Sequence, residues 1–311
     1  MVTLVVKRIG FMIFTMIVVS LILFLLLETE LTGDPAARVL GQFSNEEQRE
    51  IWREQHGYNQ PVALRYVKWL GNFAIGNLGE SIRFKGPVAD VMLPRLWNTA
   101  ILGFWTFAIM IPLSLILGVL SGMKEGSKLD RTISVFGILT TSIPEFASAV
   151  IFSAIFVFGL KWLPGTSSMS GGFEFKQLIM PAMVLIVYDF GYVARMTRAS
   201  MAEVMTSQYV RTAILKGLPY RSVIVKHALR NALIAPFTVI MLQINWLLSG
   251  VIVVEFFFAY KGFGALILEA SLNNDIALLE ACAMVAVCVA VTTQTLADIG
   301  YTFLNPRIRF S

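Results

Sequence analysis

Charge is scarce in this chain. Asp, Glu, Lys and Arg make up 14% of its 311 residues, against about 25% in soluble domains. With 56% hydrophobic residues and a mean hydropathy of +0.71, a water-soluble globule is excluded. Cysteine is rarer still. Cys282 and Cys288 both fall in the last apolar run, so neither a disulfide framework nor a Cys-based metal spacing is available, and both are expected to be packing residues. The two histidines, His56 and His227, are expected on opposite sides of a membrane and cannot share a metal. GxxxxGK[ST] is absent, so ATP binding by this chain itself is not expected, and without HExxH, GxSxG or paired CxxC an intramembrane hydrolase has no support. No catalytic residue, metal or cofactor is expected. There is no low-complexity stretch and no short repeat.

Long apolar runs are what the chain does have. The first, Ile9 to Leu27, contains no charge. At about 1.5 Å per residue it spans a hydrocarbon core of about 30 Å. Lys7 and Arg8 precede it, but the run ends in Leu-Leu-Leu-Glu28 without a small-residue cleavage site, so a retained span is expected. Hydropathy predicts six spans, at 9–27, 97–121, 132–160, 177–197, 232–254 and 279–304, and hence an all-α membrane protein. The expected organisation is an N-terminus and first span at 1–27, an extracytoplasmic segment at 28–96, a membrane core at 97–304 that includes a loop at 195–231, and a tail at 305–311. Segments 1–8, 122–131, 195–231 and 305–311 hold 14 Lys/Arg, whereas the loops 161–176 and 255–278 hold only Lys161, Lys176 and Lys261. This asymmetry places both termini and the 195–231 loop in the cytoplasm.

In the 28–96 segment, Ser44-Asn45-Glu46-Glu47 fits a capping box opening a helix to about His56. Pro61 suits the first position of a second helix, with Val62, Tyr66, Trp69, Leu70 and Phe73 as its apolar stripe. Trp69 and Trp97 are expected as headgroup-level anchors. Such a stripe packs on the protein's own spans more often than it forms a ligand box; the functional reading is an outer vestibule that receives an external partner. Pro144 in Ser142-Ile143-Pro144-Glu145 is expected to kink the third span.

Polar residues inside spans are the remaining functional candidates, since a mid-membrane charge costs on the order of 2.5–3.5 kcal/mol on insertion scales. Glu145, Asp189 and Asp298 are the acids, and Gln243 and Asn245 the amides. They either line a path for a polar solute or act as structural glue between helices. Gln243 and Asn245 lie two apart on a helix, so at most one faces such a path.

The longest polar interruption of the second half, Arg195 to Asn231, holds seven of the 25 Lys+Arg. Tyr209/Ala213 and Val210/Ile214 stack at i, i+4, and Gly217-Leu218-Pro219 should end that helix before a second one, Tyr220 to Asn231. Two short helices at a sharp angle make a docking knob; the bland alternative is a solvated basic loop.

This stretch resembles the cytoplasmic EAA loop of ABC-importer permeases. Only Ala213, Gly217 and Leu229 fit the general EAA-x3-G-x9-I-x-LP pattern. Ala199-Ser-Met-Ala-Glu-Val204, Tyr209-Val-Arg-Thr-Ala213, Lys216-Gly-Leu218 and His227-Ala-Leu-Arg-Asn-Ala-Leu233 resemble the dipeptide/oligopeptide/nickel branch. So do Gly33-Asp34-Pro35, Asn59-Gln60-Pro61, Gly76-Asn-Leu-Gly-Glu-Ser81, Val254-Glu255 with Phe258-Ala-Tyr-Lys-Gly-Phe-Gly264, and Asn305-Pro-Arg-Ile-Arg309. Lys261 replaces that branch's usual proline, and Asn274-Asp275-Ile276 its aspartate-tyrosine-proline.

The resemblance implies a type I importer permease that forms a translocation pathway with a second, homologous permease, a heterodimer in most of the branch. Two ATP-binding-cassette ATPases would dock on the loop, through Glu203, Tyr209, Arg211, Thr212, Ala213, Lys216, Gly217 and Leu229. An extracytoplasmic binding protein would deliver the solute at an outer gate containing Glu255, Lys261, Gly262 and Gly264. Glu145, Asp189, Gln243 and Asn245 would be candidates for the path. The implied location is a bacterial inner membrane, and no nucleic-acid partner is expected. Relatives carry peptides, nickel chelates, glutathione, opines or small sugars; peptides are favoured on base rate. The competing readings are a self-sufficient secondary transporter or channel, and a sensor or scaffold.

Overall fold

The computed structural model describes residues 2–28, 34–41, 43–169 and 171–304, with all side chains there except those of residues 2–5, 38, 245–250, 298 and 301–304. The side chains of Asn245 and Asp298 and the 305–311 tail, all singled out by the sequence, lie outside these described residues. The rest is almost entirely helical. Four helices are long and apolar enough to cross a membrane, or six if each of two bent pairs is one span. The chain divides into two compact units, residues 1–98 with 262–292 and residues 99–261 with 293–311.

The first unit begins with the long apolar helix α1 (Val2–Glu28) and three short helices, α2 (Pro35–Leu40), α3 (Glu46–Gln55) and α4 (Val62–Ala74). A two-stranded antiparallel ribbon follows, β1 (Glu80–Ser81) against β2 (Gly86–Pro87). It leads into α5 (Val88–Met123). Later in the chain, α13 (Phe263–Leu272) and the first part of α14 (Ile276–Leu304) join this unit. The capping box exists one residue later than expected: Asn45, not Ser44, caps α3 and exchanges hydrogen bonds with Gln48. Pro61 sits at the cap of α4 rather than inside it. The stripe on α4 packs on α1, with Phe24 against the Tyr66 and Trp69 rings at 5.5 and 5.7 Å and Ser20 hydrogen-bonded to the Tyr66 hydroxyl. Trp69, expected as an interface anchor, packs its ring on Phe24 and lies beside Glu280 of α14. Asp275 ties α14 to the ribbon: its Oδ2 accepts from the Ser81 hydroxyl at 2.5 Å and the Arg83 amide at 3.1 Å.

Asp34 caps α2 and is clamped by Arg53 at 2.9 Å. This pairing, with the Ala36 amide, holds the Asp34 carboxyl below its ordinary value of 3.8 against the opposing effect of burial. A carboxylate depressed on folding contributes stability above its unfolded pKa and loses it as pH falls through the folded one. The pair is partly exposed, so the contribution is screened, on the order of 0.2–1 kcal/mol. Proteolysis of the α2 segment in Arg53→Ala at neutral pH should therefore match what the native chain shows only below pH 3.8. Equal protection of both proteins at neutral pH would discount the clamp.

The second unit is arranged around α8 (Phe175–Met205), against which α6 (Lys128–Ser142), α7 (Glu145–Phe152) and α12 (Ile234–Phe257) pack. Its core includes Leu102, Met180, Leu185, Val254 and Phe258, all essentially inaccessible. Here the third span departs from expectation. It is not a kinked helix but two arms, α6 and α7 with its π-helical continuation Ser153–Gly159, bent by 104°. Ile143 is driven into an extended conformation because α geometry before a proline clashes with the ring, and Pro144 then caps a new helix.

Small residues let α8 approach its neighbours. A Cβ on Gly191 would stand 2.2 Å from the Gly137 carbonyl oxygen of α6, and one on Gly118 of α5 would stand 2.5 Å from the Thr197 Cβ. At one end of these helices Arg198 forms two hydrogen bonds of 2.9 Å to Asp130, which also accepts from the Ser121 hydroxyl and the Gly126 amide. A buried aspartate with this many donors is satisfied, and the turn before α6, read from sequence only as basic, is a docking point for α8.

Candidate functional site

The 195–231 stretch folds largely as its pattern suggests, with one difference. Helix α8 continues to Met205, eight residues past the expected end of the fourth span, so Glu203 belongs to that helix. After a one-turn break come α9 (Gln208–Leu215) and, past Gly217, α10 (Tyr220–Ser222), a π-helical stretch (Val223–Ala228) and α11 (Leu229–Ala232). Gly217 has φ +74°, a left-handed conformation that glycine alone adopts without strain, and its amide bonds back to the Ile214 carbonyl. Pro219 then caps the second helix.

This elbow has two faces. Val210, Ala213, Val223, Ile224, Ala228 and Met201 form a sealed core, with Leu229 packed against it. The opposite face exposes Glu203, Tyr209, Arg211, Thr212, Lys216 and Gly217, so the implied coupling residues divide into a surface set and the buried Ala213 with half-buried Leu229. Between the polar residues lie large apolar ones, Ile214 and Tyr220 about half exposed and Leu215 79% exposed. The Asn231 amide donates to the Tyr209 hydroxyl at 2.9 Å, closing the two arms.

The intramembrane candidates sit where α7, α8 and α12 converge. Asp189 on α8 is fully buried; the Gln243 amide of α12 donates to its Oδ1 at 2.6 Å, and its Oδ2 has no partner among the described residues. Glu145, in the first turn of α7, is buried with Oε1 likewise unpartnered. Neither acid makes a salt bridge among the described residues. The structure thus brings Asp189 and Gln243 into contact and opens α7 with Glu145 at the bend.

In the last turn of α12, Glu255 is inaccessible and accepts the Thr99 hydroxyl at 2.5 Å. The Tyr260 amide bonds to the Glu255 carbonyl, and the Phe258 carbonyl accepts from Ser167 at 2.7 Å. Burial, with the Glu255 charge beside it, raises the Tyr260 phenol above its ordinary value. Lys261 is exposed, whereas Gly262 caps α13 and Gly264, in its first turn, is buried. Two further acids are buried: Asp275, noted in the sequence only as part of a departure from the branch's motif, and Glu280, passed over there, whose signal was an acid one turn into an apolar run. Arg198 was visible only as one basic residue among seven.

A polytopic helical chain with a folded elbow and no nucleotide motif has the form of the membrane component of a larger transport machine. The chain belongs to the binding-protein-dependent transport system inner membrane components, whose family model matches residues 110–310, while the model of their N-terminal part matches residues 1–100. It is 34% identical over 314 aligned positions to a putative peptide transport system permease protein of Brucella abortus, covering all of both chains. To the oligopeptide transport system permease AppB of Bacillus subtilis it is 33% identical, covering 89% of this chain and 90% of that one. To the dipeptide transport system permease DppB of Alkalihalophilus pseudofirmus it is 31% identical, over 89% and 91%. The chain is therefore a multi-pass inner-membrane permease subunit of an ATP-binding-cassette importer, a transport component of a system that also needs ATPase subunits and a binding protein.

Proposed function

We propose that this subunit forms, with a second homologous permease, the path for short peptides, and that two ATPase subunits move it through the elbow at 206–232. The peptide cargo is carried over from the names of the relatives, which are peptide, oligopeptide and dipeptide permeases. The observation that supports the coupling role is the two-faced elbow: an inner face sealed by Val210, Ala213 and Val223, and an outer face with Leu215 left bare. On this reading both termini and the elbow are cytoplasmic, the 28–96 segment faces the binding protein, and Glu255, Lys261, Gly262 and Gly264 belong to the outer gate. Helix α8 runs unbroken from the Asp189–Gln243 pair to Met205, where the elbow begins. Closure of the ATPases would then be felt where Asp189, Gln243 and Glu145 stand along the path, Gln243 being the one of the two α12 amides that meets Asp189.

The decisive experiment is reconstitution. Purified with its partners, the chain should carry an ATPase and a second permease in stoichiometric amount, and peptide uptake into proteoliposomes should require ATP and the binding protein. Solute flux through this chain alone would refute the reading in favour of a self-sufficient carrier or channel. For the path, Glu145→Ala should lower the uptake rate by about tenfold while leaving expression and thermal stability near the native level, because removing an unpaired buried carboxylate relieves rather than adds a desolvation cost. Unchanged uptake kinetics would return Glu145 to a packing role.

A further inference from the structure

Helix α6 is fixed to α8 at three heights. In its first turn the buried Asp130 takes two hydrogen bonds of 2.9 Å from the Arg198 guanidinium. At mid-length the Gly137 carbonyl lies so close to Gly191 that a Cβ there would stand 2.2 Å from it. In its last turn the Thr141 hydroxyl accepts from the Arg195 guanidinium at 3.2 Å. Arg195 is aimed there by a second bond, 3.0 Å, from its Nε to the Gly191 carbonyl. The two arginines leave α8 within one turn of each other, yet they hold opposite ends of α6. Charge-assisted bonds at both ends and backbone contact between them leave α6 no freedom to slide or roll on α8.

Beyond Thr141 these ties stop. Ile143 is extended, with φ −95° and ψ 121°, and Pro144 has no N–H with which to continue the α6 ladder. Helix α7 starts a ladder of its own, with the Ala147 and Ser148 amides bonded to the Pro144 carbonyl. Two residues at the junction of two helices thus carry the whole 104° change of direction, which is the form a hinge takes. The buried face of α7 is made of Glu145, Ser148 and Ala149, so no large side chain locks it in its seat between α8 and α12. Glu145, the first residue past the joint, keeps a buried Oε1 without a partner among the described residues. A seat that leaves a buried acceptor unmet is one on which a second arrangement can improve.

We propose that Arg198 and Arg195 are positioning residues of the transport cycle. They make α6 part of α8, so that motion entering at the elbow reaches the Ile143–Pro144 joint, about which α7 turns and carries Glu145 with it. The inference rests on the coupling role given above to the elbow and names the parts that move. Neither arginine touches the solute; both act through α6.

The test uses the complete transporter with its ATPases and binding protein in proteoliposomes, in a Cys282→Ala, Cys288→Ala background. In Asp130→Cys/Arg198→Cys both charges are removed together, so none is left buried and unpaired. Peptide uptake should fall about fivefold or more while ATP hydrolysis persists, so that more ATP is consumed per peptide carried. Bridging these two cysteines with a short bis-methanethiosulfonate should restore uptake, and reduction should abolish the gain. A merely structural role would lower hydrolysis and uptake together. In Ser142→Cys/Phe146→Cys, at exposed positions flanking the joint, the same bridge should stop uptake until it is reduced. Monofunctional methyl methanethiosulfonate should not stop it. Arg198→Lys, which keeps a charged donor for Asp130, should transport at close to the background rate. Arrest of uptake by the bridge between 130 and 198 would mean that α6 moves against α8, and native uptake by the unbridged pair that the tie is idle. Either result overturns the proposal, as does undisturbed uptake with the joint bridged, which decides alone if the first pair does not assemble. Failure of the elbow reading shows separately, as native uptake by Leu215→Asp, and both bridges are scored on uptake whichever way that falls.

Discussion

Replacing Leu215 by aspartate is expected to reduce ATP-driven uptake at least tenfold while leaving the chain folded and inserted. Leu215 closes α9 and is 79% exposed, so in this chain alone a carboxylate there meets water and costs little. In a docked assembly the same carboxylate would be buried without a partner. Truncation of a central apolar anchor typically costs about 2 kcal/mol or more, and an unpaired buried charge adds to that. Ala213 makes the informative contrast. It is 5% exposed within the core beneath the elbow, so Ala213→Asp should unseat α9 from α8 and lower stability as well as uptake. Any residue other than glycine at 217 must adopt φ near +74°, at a cost of roughly 1–2 kcal/mol, although nothing crowds its Cβ. A bulky side chain at 217 should accordingly reorient the second arm and lower uptake without affecting insertion. Copurification of the ATPase together with uptake assays separates these outcomes. Native uptake by Leu215→Asp would remove the elbow from the coupling route.

Gly191→Val should abolish recovery of folded protein altogether. The added Cβ would lie 2.5 Å from the Thr140 hydroxyl oxygen and 2.2 Å from the Gly137 carbonyl oxygen, which cannot yield without moving α6 away from α8. Overpacking in a well-filled core costs about 1–3 kcal/mol, and here the obstacle is a backbone carbonyl, so the upper end or beyond is expected. Gly137→Ala faces contacts of 3.3 Å and longer and should be only mildly destabilising. Gly10→Val, with nothing within 4 Å, is the control. Size-exclusion profiles and thermal melts of the three proteins rank them. A monodisperse Gly191→Val protein would mean that the two helices are not in this close contact.

Spans and elbow were legible because their signals are local. Uninterrupted apolar runs mark α1, α5, α8 and α14, and glycine followed two residues later by proline marks the break at Gly217. The third span was misread because a proline kink and a full break look the same in sequence; the 104° bend depends on where α7 finds partners in α8 and α12. The Asn45 cap was displaced from Ser44 by one residue, since both are good caps and only the reach to Gln48 chooses between them. Long-range pairings left no trace at all. Arg198 finds Asp130, Gln243 finds Asp189, and Asp275 finds Ser81 across gaps of 54 residues or more. No periodicity encodes such gaps. Ala213 was legible as part of the elbow, but not as part of its core.

Helix α8 is continuous from Phe175 to Met205, and Asp189 lies sixteen residues before its end. At 1.5 Å per residue that is a rod about 24 Å long, so a tilt of only about 5° at one end displaces the other by about 2 Å. Such a shift is enough to separate the Gln243 amide from the Asp189 carboxylate, now 2.6 Å apart. On the proposed coupling route, a crank of that length would turn a slight nudge at the elbow into the making or breaking of one hydrogen bond far along the span.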